Sequence, residues 1–286
     1  MDGDNVQVTE PCDAETPNLL TDGTTTPATT SDFAVLPTLQ VPLAPRQLTP
    51  GAQLVDAGSV TSDHLLTSRT EHRIDLMGPV AVDQRWQGQA ANGFAAAQCV
   101  IDWAATDAIC PPGQQRVVWL ERPERHGQAT VRSAFSQPGC AACARRAACP
   151  HAATAPRAGR SRERDHYTVL QAARARPQTD TFQKVSARRA GIEGTMAQGT
   201  RMDGRRRSRY IGLVTTRLMH RLVAAALNFM RVAAWLAAIP RAQPRSSAFA
   251  ALAAAAYPQY ARRRVCQRHL VKRQTLPSAF HSSTCA

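Results

Sequence analysis

Apolar and polar positions alternate in short bursts over the first hundred residues and settle into helical periods over the last hundred. Alternation or short apolar runs over 19–26, 52–56 and 74–80 predict three strands, and 94–103 predicts a fourth, buried one weakened by its alanines. Residues 62–68 predict one helical stretch. Pro37, Pro42, Pro45 and Pro50 limit any helix before Asp56 to a short or irregular one. Further on, 116–120 and 129–135 predict two strands of a hairpin joined by the polar loop 121–128. A basic linker is expected over 156–164. Helices are expected over 165–176 and 179–198, interrupted near Pro177. Gly191 and Gly194 each cost the second of these about 1 kcal/mol relative to alanine. Glycines flanking Glu193 fit either a close backbone approach or a plain helix end.

The longest helical pattern covers 211–239. At about 100° per residue, Arg217, His220, Arg221, Asn228 and Arg231 fall within one face of roughly 100°. Leu, Val, Ala, Phe and Trp fill the rest. The expectation is a helix packed on most sides, with a basic stripe that faces solvent or contacts phosphates. The same five residues keep any apolar run there short of the roughly 20 residues a bilayer span needs. The acidic start at residues 1–5 has no basic-then-apolar leader. A cytoplasmic protein with no membrane partner is expected. Past Pro240 no period persists, and 241–286 reads as an irregular tail.

Charge divides the 286 residues more sharply than hydropathy does. The chain holds 35 Lys and Arg against 21 Asp and Glu, a net +14. Residues 1–115 carry net −10, and residues 116–286 carry net +24. A basic half of that size suggests a polyanion partner, and an acidic half can supply carboxylates to a cation. Codon bias in a GC-rich genome would enrich arginine and alanine equally well without any function. With 43% hydrophobic and 20% charged residues, a wholly disordered, collagen-like or coiled-coil chain is excluded. Aromatic content of 5% leaves the core to Ala, Leu and Val.

Four of the eight cysteines, Cys110, Cys140, Cys143 and Cys149, fall within 40 residues. In a reducing compartment disulfides explain them poorly. Cys140-x2-Cys143 has the spacing that points two thiolates at one tetrahedral metal, Cys110-Pro-Pro-Gly makes a second tight turn, and Cys149 offers a fourth ligand. Structural Zn²⁺ and four free thiols are equally good readings, with His151 an alternative fourth ligand.

The acid–base candidates are Asp56, ending a predicted strand, and Glu193, on a predicted helix. Carboxylates from separate elements can meet on Mg²⁺, a hard cation that prefers oxygen ligands. Arg189, one helical turn before Glu193, could orient that carboxylate or reach a phosphate. Arg201, Arg205, Arg206, Arg207, Arg209 and Tyr210 follow, a density that fits a DNA backbone track. Arg217 and Arg221 extend it onto the long helix.

These residues carry a family resemblance. Arg189-Ala-Gly-Ile-Glu193-Gly-Thr-Met-Ala-Gln-Gly-Thr-Arg201, followed by Arg206-Arg-Ser-Arg-Tyr210-Ile-Gly-Leu, resembles the C-terminal catalytic block of bacterial insertion-sequence transposases of the DDE type. Val55-Asp56-Ala-Gly resembles that family's second-aspartate strand, and Gly78-Pro-Val and Ile101-Asp-Trp the stretch after it. Cys110-Pro-x-Gly and Cys140-x2-Cys-x5-Cys149 resemble the cysteine insertion of one subgroup, lying between the second Asp and the Glu. Asn228-Phe-Met-Arg231-Val-Ala-Ala-Trp resembles its closing helix. The likeness runs from about Val6 to Ile239.

The resemblance implies an α/β, RNase H-like mixed sheet with flanking helices, and an Asp-Asp-Glu triad on Mg²⁺ or Mn²⁺. Asp56 would be the second carboxylate, Glu193 the third, and Arg189 the arginine of the Tyr-x2-Arg-x3-Glu pattern. The implied partners are DNA, as element ends and target, and self or an intact transposase copy. The first aspartate should lie on a strand before the segment resembling Val6-Gln-Val-Thr-Glu10, so a chain truncated at the N-terminus is expected. Ser186 and Ser59 replace family tyrosines, Asp4-Asn5 an expected Tyr-Lys, Arg205 a leucine and Thr215 a lysine. The expected organisation is a partial catalytic core over 1–104, a cysteine-rich insertion over 105–160, completing helices over 161–240 and the tail. The expected function is DNA transposition by an inactive copy, or its alternatives, a DNA-binding inhibitor of an intact enzyme and a decayed product.

Overall fold

The computed structural model describes residues 3–13, 16–81, 83, 86–89, 94–123, 129–149, 155–202, 210–240 and 283–285. Its organising element is β1 (Asp4–Glu10), whose last five residues are all buried. In a strand successive side chains point to opposite faces, so β1 supports packing on both. Val6 and Val8 join Leu20, Ile192 and Leu227 in one apolar cluster. Gln7 faces the other way and bonds to Asp32.

β2 (Asp22–Pro27) pairs antiparallel with β1 over Asp4↔Pro27 to Thr9↔Asp22. On the far side, β3 (Ala52–Leu54) pairs in parallel with β4 (Asp75–Met77). The predicted strands are found here, trimmed to three residues in β3 and β4. Between the two pairs lies β10 (Ser283–Cys285), parallel to β1 and antiparallel to β3, so the order is β2-β1-β10-β3-β4. The end of the chain, expected to be structureless, thus places three residues in the middle of the sheet.

α1 (Asp32–Gln40) starts at Ser31, whose side chain accepts from the Ala34 N–H, and runs through Pro37 for only nine residues. α2 (Ser62–Thr70) is capped by Thr61 in the same way. Leu36, Val55, Val60, Leu65 and Leu76 form a second cluster with Ala173 of α5 (Arg164–Ala175). Gly78 is required there, because a Cβ would lie 2.6 Å from the Val55 carbonyl oxygen. A four-residue turn of helix, α3 (Trp86–Gln89), follows β4.

The middle of the chain forms two smaller sheets. β5 (Val100–Asp102) and β6 (Asp107–Ile109) make a two-stranded ribbon. The buried strand expected over 94–103 is instead a 3₁₀ turn at Ala96–Gln98 and the exposed β5, with Val100 65% accessible. Its alanines offer too little apolar area to hold a buried strand. β7 (Arg116–Pro123) and β8 (Ala129–Phe135) form the predicted hairpin. The expected linker is a third strand, β9 (Ala158–Arg162), antiparallel to β8. Its alternate arginines suit a sheet edge, where charge blocks further pairing. A short α4 (Gln137–Ala141) carries Cys140.

Three further helices follow α5: α6 (Asp180–Arg188), α7 (Ala190–Met202) and α8 (Leu213–Leu236). The helix expected over 179–198 breaks at Arg189, the C-cap of α6. In α8 the polar stripe divides: Arg217 and Arg221 stay exposed, while His220, Asn228 and Arg231 turn inward. Asn228 brackets Leu20, accepting from its N–H at 2.7 Å and donating to its carbonyl at 2.9 Å. His220 Nδ1 lies 2.9 Å from Thr25 Oγ1, and Arg231 pairs with Glu10. The outward face is apolar: Val214, Leu222 and Phe229 are exposed. Three buried polar partners on the β1–β2 side outweigh the hydrophobic bias of the pattern.

Candidate active site

Asp56 follows β3 in extended conformation, where the chain turns into a 3₁₀ helix at Ala57–Ser59. Ser59 Oγ donates to Asp56 Oδ1 at 3.4 Å. Burial pushes the Asp56 carboxyl above its usual range, and the Asp32 carboxylate pushes it further. Arg189, Ser59 and the Gly58 backbone pull it down without cancelling the shift.

Asp32, in the first turn of α1, is the residue the sequence reading missed. A Cβ placed on Gly58 would lie 3.5 Å from Asp56 Oδ1 and 3.7 Å from Asp32 Oδ2, so both carboxyls lie beside the glycine. Gln7 Nε2 donates to Asp32 Oδ1 at 2.9 Å. The Gln7 Oε1 is buried without a partner. Ser31-Asp32 is legible in sequence as a helix start; that it meets Asp56 depends on a pairing 24 residues away.

Glu193 lies in the first turn of α7, its side chain 62% exposed, with Arg189 Nη2 3.9 Å from Oε1. Arg189 is itself only 15% exposed and acts electrostatically on Asp56 as well. Among the described residues no three His, Cys, Asp or Glu side chains are arranged to hold a metal. The oxygen donors of Asp56, Asp32 and Gln7 nevertheless suit a hard divalent cation.

α7 is fixed to the sheet two residues past Glu193. Thr195 Oγ1 donates to Glu10 Oε2 at 2.8 Å, and Arg231 Nη1 reaches the same oxygen at 2.7 Å. Arg231 Nη2 donates to Thr195 Oγ1 at 2.5 Å, and Nη1 also meets the Asn18 carbonyl. Arg231, expected on a solvent or phosphate face, is a structural cation.

The expected DNA-contacting residues divide into three groups. Arg205, Arg206, Arg207 and Arg209 lie outside the described residues. Arg201 and Tyr210 are exposed. Arg217 and Arg221 are exposed on α8 and, with Arg46 and the backbone of β2, line a groove beside Asn228.

The expected zinc centre is not assembled among the described residues. Cys110, Cys140 and Cys149 are buried, but Cys143 is only half-buried, and Cys99 joins Cys110 and Cys140 in their cluster. Arg157 occupies the space among them. Its N–H donates to Cys140 Sγ and its Nη1 to Cys149 Sγ, both at 3.4 Å. Burial raises the Cys99 and Cys110 pKa values. Burial alone would lower the Arg157 pKa; hydrogen bonding to Cys149 and the surrounding sulfurs hold it up instead. The Cys110-Pro-Pro-Gly turn does form, closed by the Gly113 N–H to the Cys110 carbonyl at 2.8 Å, with Gly113 at φ +91°. His151 lies outside the described residues.

Comparison with known proteins bears on this arrangement. Residues 109–233 match the family model described as a transposase DDE domain. The match takes in Cys110, Cys140, Cys143 and Cys149, Arg189, Glu193 and most of α8, and begins after Asp56. No curated protein and no solved structure matches the chain. Among the described residues, no helix is long and apolar enough to cross a membrane.

Proposed function

We propose that the protein is a DDE-type transposase chain with an RNase H-like core, in which Asp56 and Glu193 are the metal-binding carboxylates and Arg189 orients Glu193. The observation that carries this reading is Arg189 itself: one guanidinium reaches Glu193 and acts on Asp56, at the end of a mixed sheet. Bound Mg²⁺ or Mn²⁺ would activate a water or 3′-hydroxyl for attack on a phosphodiester. The chain's own part is to aim the carboxylates and hold the DNA backbone. Arg201, Tyr210, Arg217 and Arg221 are exposed for that purpose, and residues 116–286 carry net +24.

The same reading assigns the chain little strand-transfer activity. Among the described residues the sheet position between β1 and β3 holds Ser283–Cys285, none of them an acid. That supports a triad short of its central-strand aspartate. That favours a second role, in which the chain occupies DNA and inhibits an intact transposase copy. Salt-titrated binding tests the DNA-engaging part. Affinity should fall linearly with salt on logarithmic axes, and Arg217→Ala and Arg221→Ala should each lower the slope by about 1. Tighter binding to element ends than to random DNA supports the inhibitor, equal affinity argues against it, and salt-independent binding overturns the DNA assignment.

A further inference from the structure

A cavity of about 290 Å³ lies between the β5–β6 ribbon, strands β8 and β9, and α5, and shares no residue with the carboxylates or the β2–α8 groove described above. One wall is a single face of α5, where Tyr167, Leu170, Gln171 and Arg174 recur at i, i+3, i+4 and i+7. On the sheet side Gly159 pairs in register with Ser133 and borders the cavity without a side chain; a Cβ there would lie 3.3 Å from Ser133 Oγ. Four arginines, Arg157, Arg160, Arg162 and Arg174, border the space against one acid, Asp83. Arg157, 6% exposed, donates to the Phe94 and Ala95 carbonyls and to Cys149 Sγ, and Arg174 Nε donates to the Ala81 carbonyl at 3.3 Å. Neither guanidinium meets a carboxylate among the described residues. A charge taken out of water without a counter-charge is costly, and a bound anion supplies one. The hydroxyls of Ser133, Ser161 and Tyr167 border the same space without a hydrogen-bond partner among the described residues. Ile101, Phe135 and Leu170 give the cavity an apolar side.

We propose that this cavity binds a small phosphomonoester, with Arg157 and Arg174 balancing the charge of its phosphate and the apolar side covering its organic part. Two cations without acid partners match a dianion, and a phosphate group offers three acceptor oxygens to guanidinium and hydroxyl donors. A single carboxylate carries one charge and two acceptors. The volume is that of a small-molecule site at the lower end of the range. The inference is independent of the transposase reading and uses none of its residues.

The probe is phenyl phosphate, titrated calorimetrically into the full chain at about pH 7.5, where a phosphomonoester is largely dianionic. The wild type should form a one-to-one complex, which Arg174→Gln weakens by about tenfold or more. Gly159→Val keeps every cation and should weaken binding comparably by filling the cavity. Arg188→Ala, which removes an exposed charge on α6, should bind as the wild type does. If circular dichroism shows that Gly159→Val does not fold, the contrast between Arg174→Gln and Arg188→Ala decides. Equal loss in those two, or wild-type affinity in folded Gly159→Val, puts the anion on the basic surface and overturns the proposal, as does no binding by the wild type. Succinate that binds as tightly as phenyl phosphate overturns the phosphomonoester in favour of a dicarboxylate. A 5′-phosphorylated oligonucleotide that displaces phenyl phosphate where its 5′-hydroxyl form does not overturns the small molecule in favour of a DNA end.

Discussion

At the scale of single residues, Asp56 illustrates how a site can oppose the fold that carries it. Its carboxyl is pushed up first by burial and then by Asp32, so the folded chain retains its proton at a pH where the unfolded chain has lost it. Stability from this group is complete below the unfolded value of 3.8 and is lost as pH rises through the higher folded value. Asn cannot titrate. In chelator-containing buffer, urea denaturation at about pH 4 and about pH 7 should show the wild type losing stability relative to Asp56→Asn at the higher pH. A constant difference would mean the carboxyl is no more burdened in the fold than in the unfolded chain. Glu193, mostly exposed beside Arg189, is a different kind of acid, open to solvent.

At the scale of elements, α8 is anchored by polar groups where its sequence suggests a solvated stripe. The buried Glu10 side chain is 2% exposed and depends on Arg231 and Thr195 for its partners. Arg231→Met should cost about 3 kcal/mol in urea denaturation, because it strands a buried charge. The double variant Arg231→Met/Glu10→Gln should recover part of that loss; an additive loss would show that the pair is not coupled. The same anchor explains what the sequence could and could not reveal. Helices α2, α5 and α8 were legible because their periods and caps are local. The inward turn of α8 was not, since it depends on Leu20, Thr25 and Glu10, about two hundred residues away in the chain. β9 was hidden for a related reason: its arginines resemble a linker until β8 supplies the ladder. Asp56, Arg189 and Glu193 were legible as motifs, whereas the facing Asp32 required the tertiary pairing of α1 with the turn after β3. The cysteine spacing was legible too, but nothing local announced that Arg157 would reach in among the thiols.

At the scale of the whole molecule, the acidic and basic parts of the chain come into electrostatic contact through Arg189, whose charge acts on Asp56 and which lies 3.9 Å from Glu193. The N-terminal part contributes Asp32 and Asp56, and the C-terminal part contributes Arg189 and Glu193. Binding DNA and cutting it make separate demands on this arrangement. Binding needs only exposed arginine and a field of the right sign. Cutting needs carboxylates placed around the metal to within a fraction of an ångström, and β10 brings none of them to the sheet centre. The most direct test is a strand-cleavage assay on the element's own ends with Mg²⁺ or Mn²⁺, at salt low enough to keep the DNA bound. The account predicts bound DNA that stays essentially uncut, with Asp56→Ala indistinguishable from the wild type. Robust cutting that Asp56→Ala abolishes would contradict it.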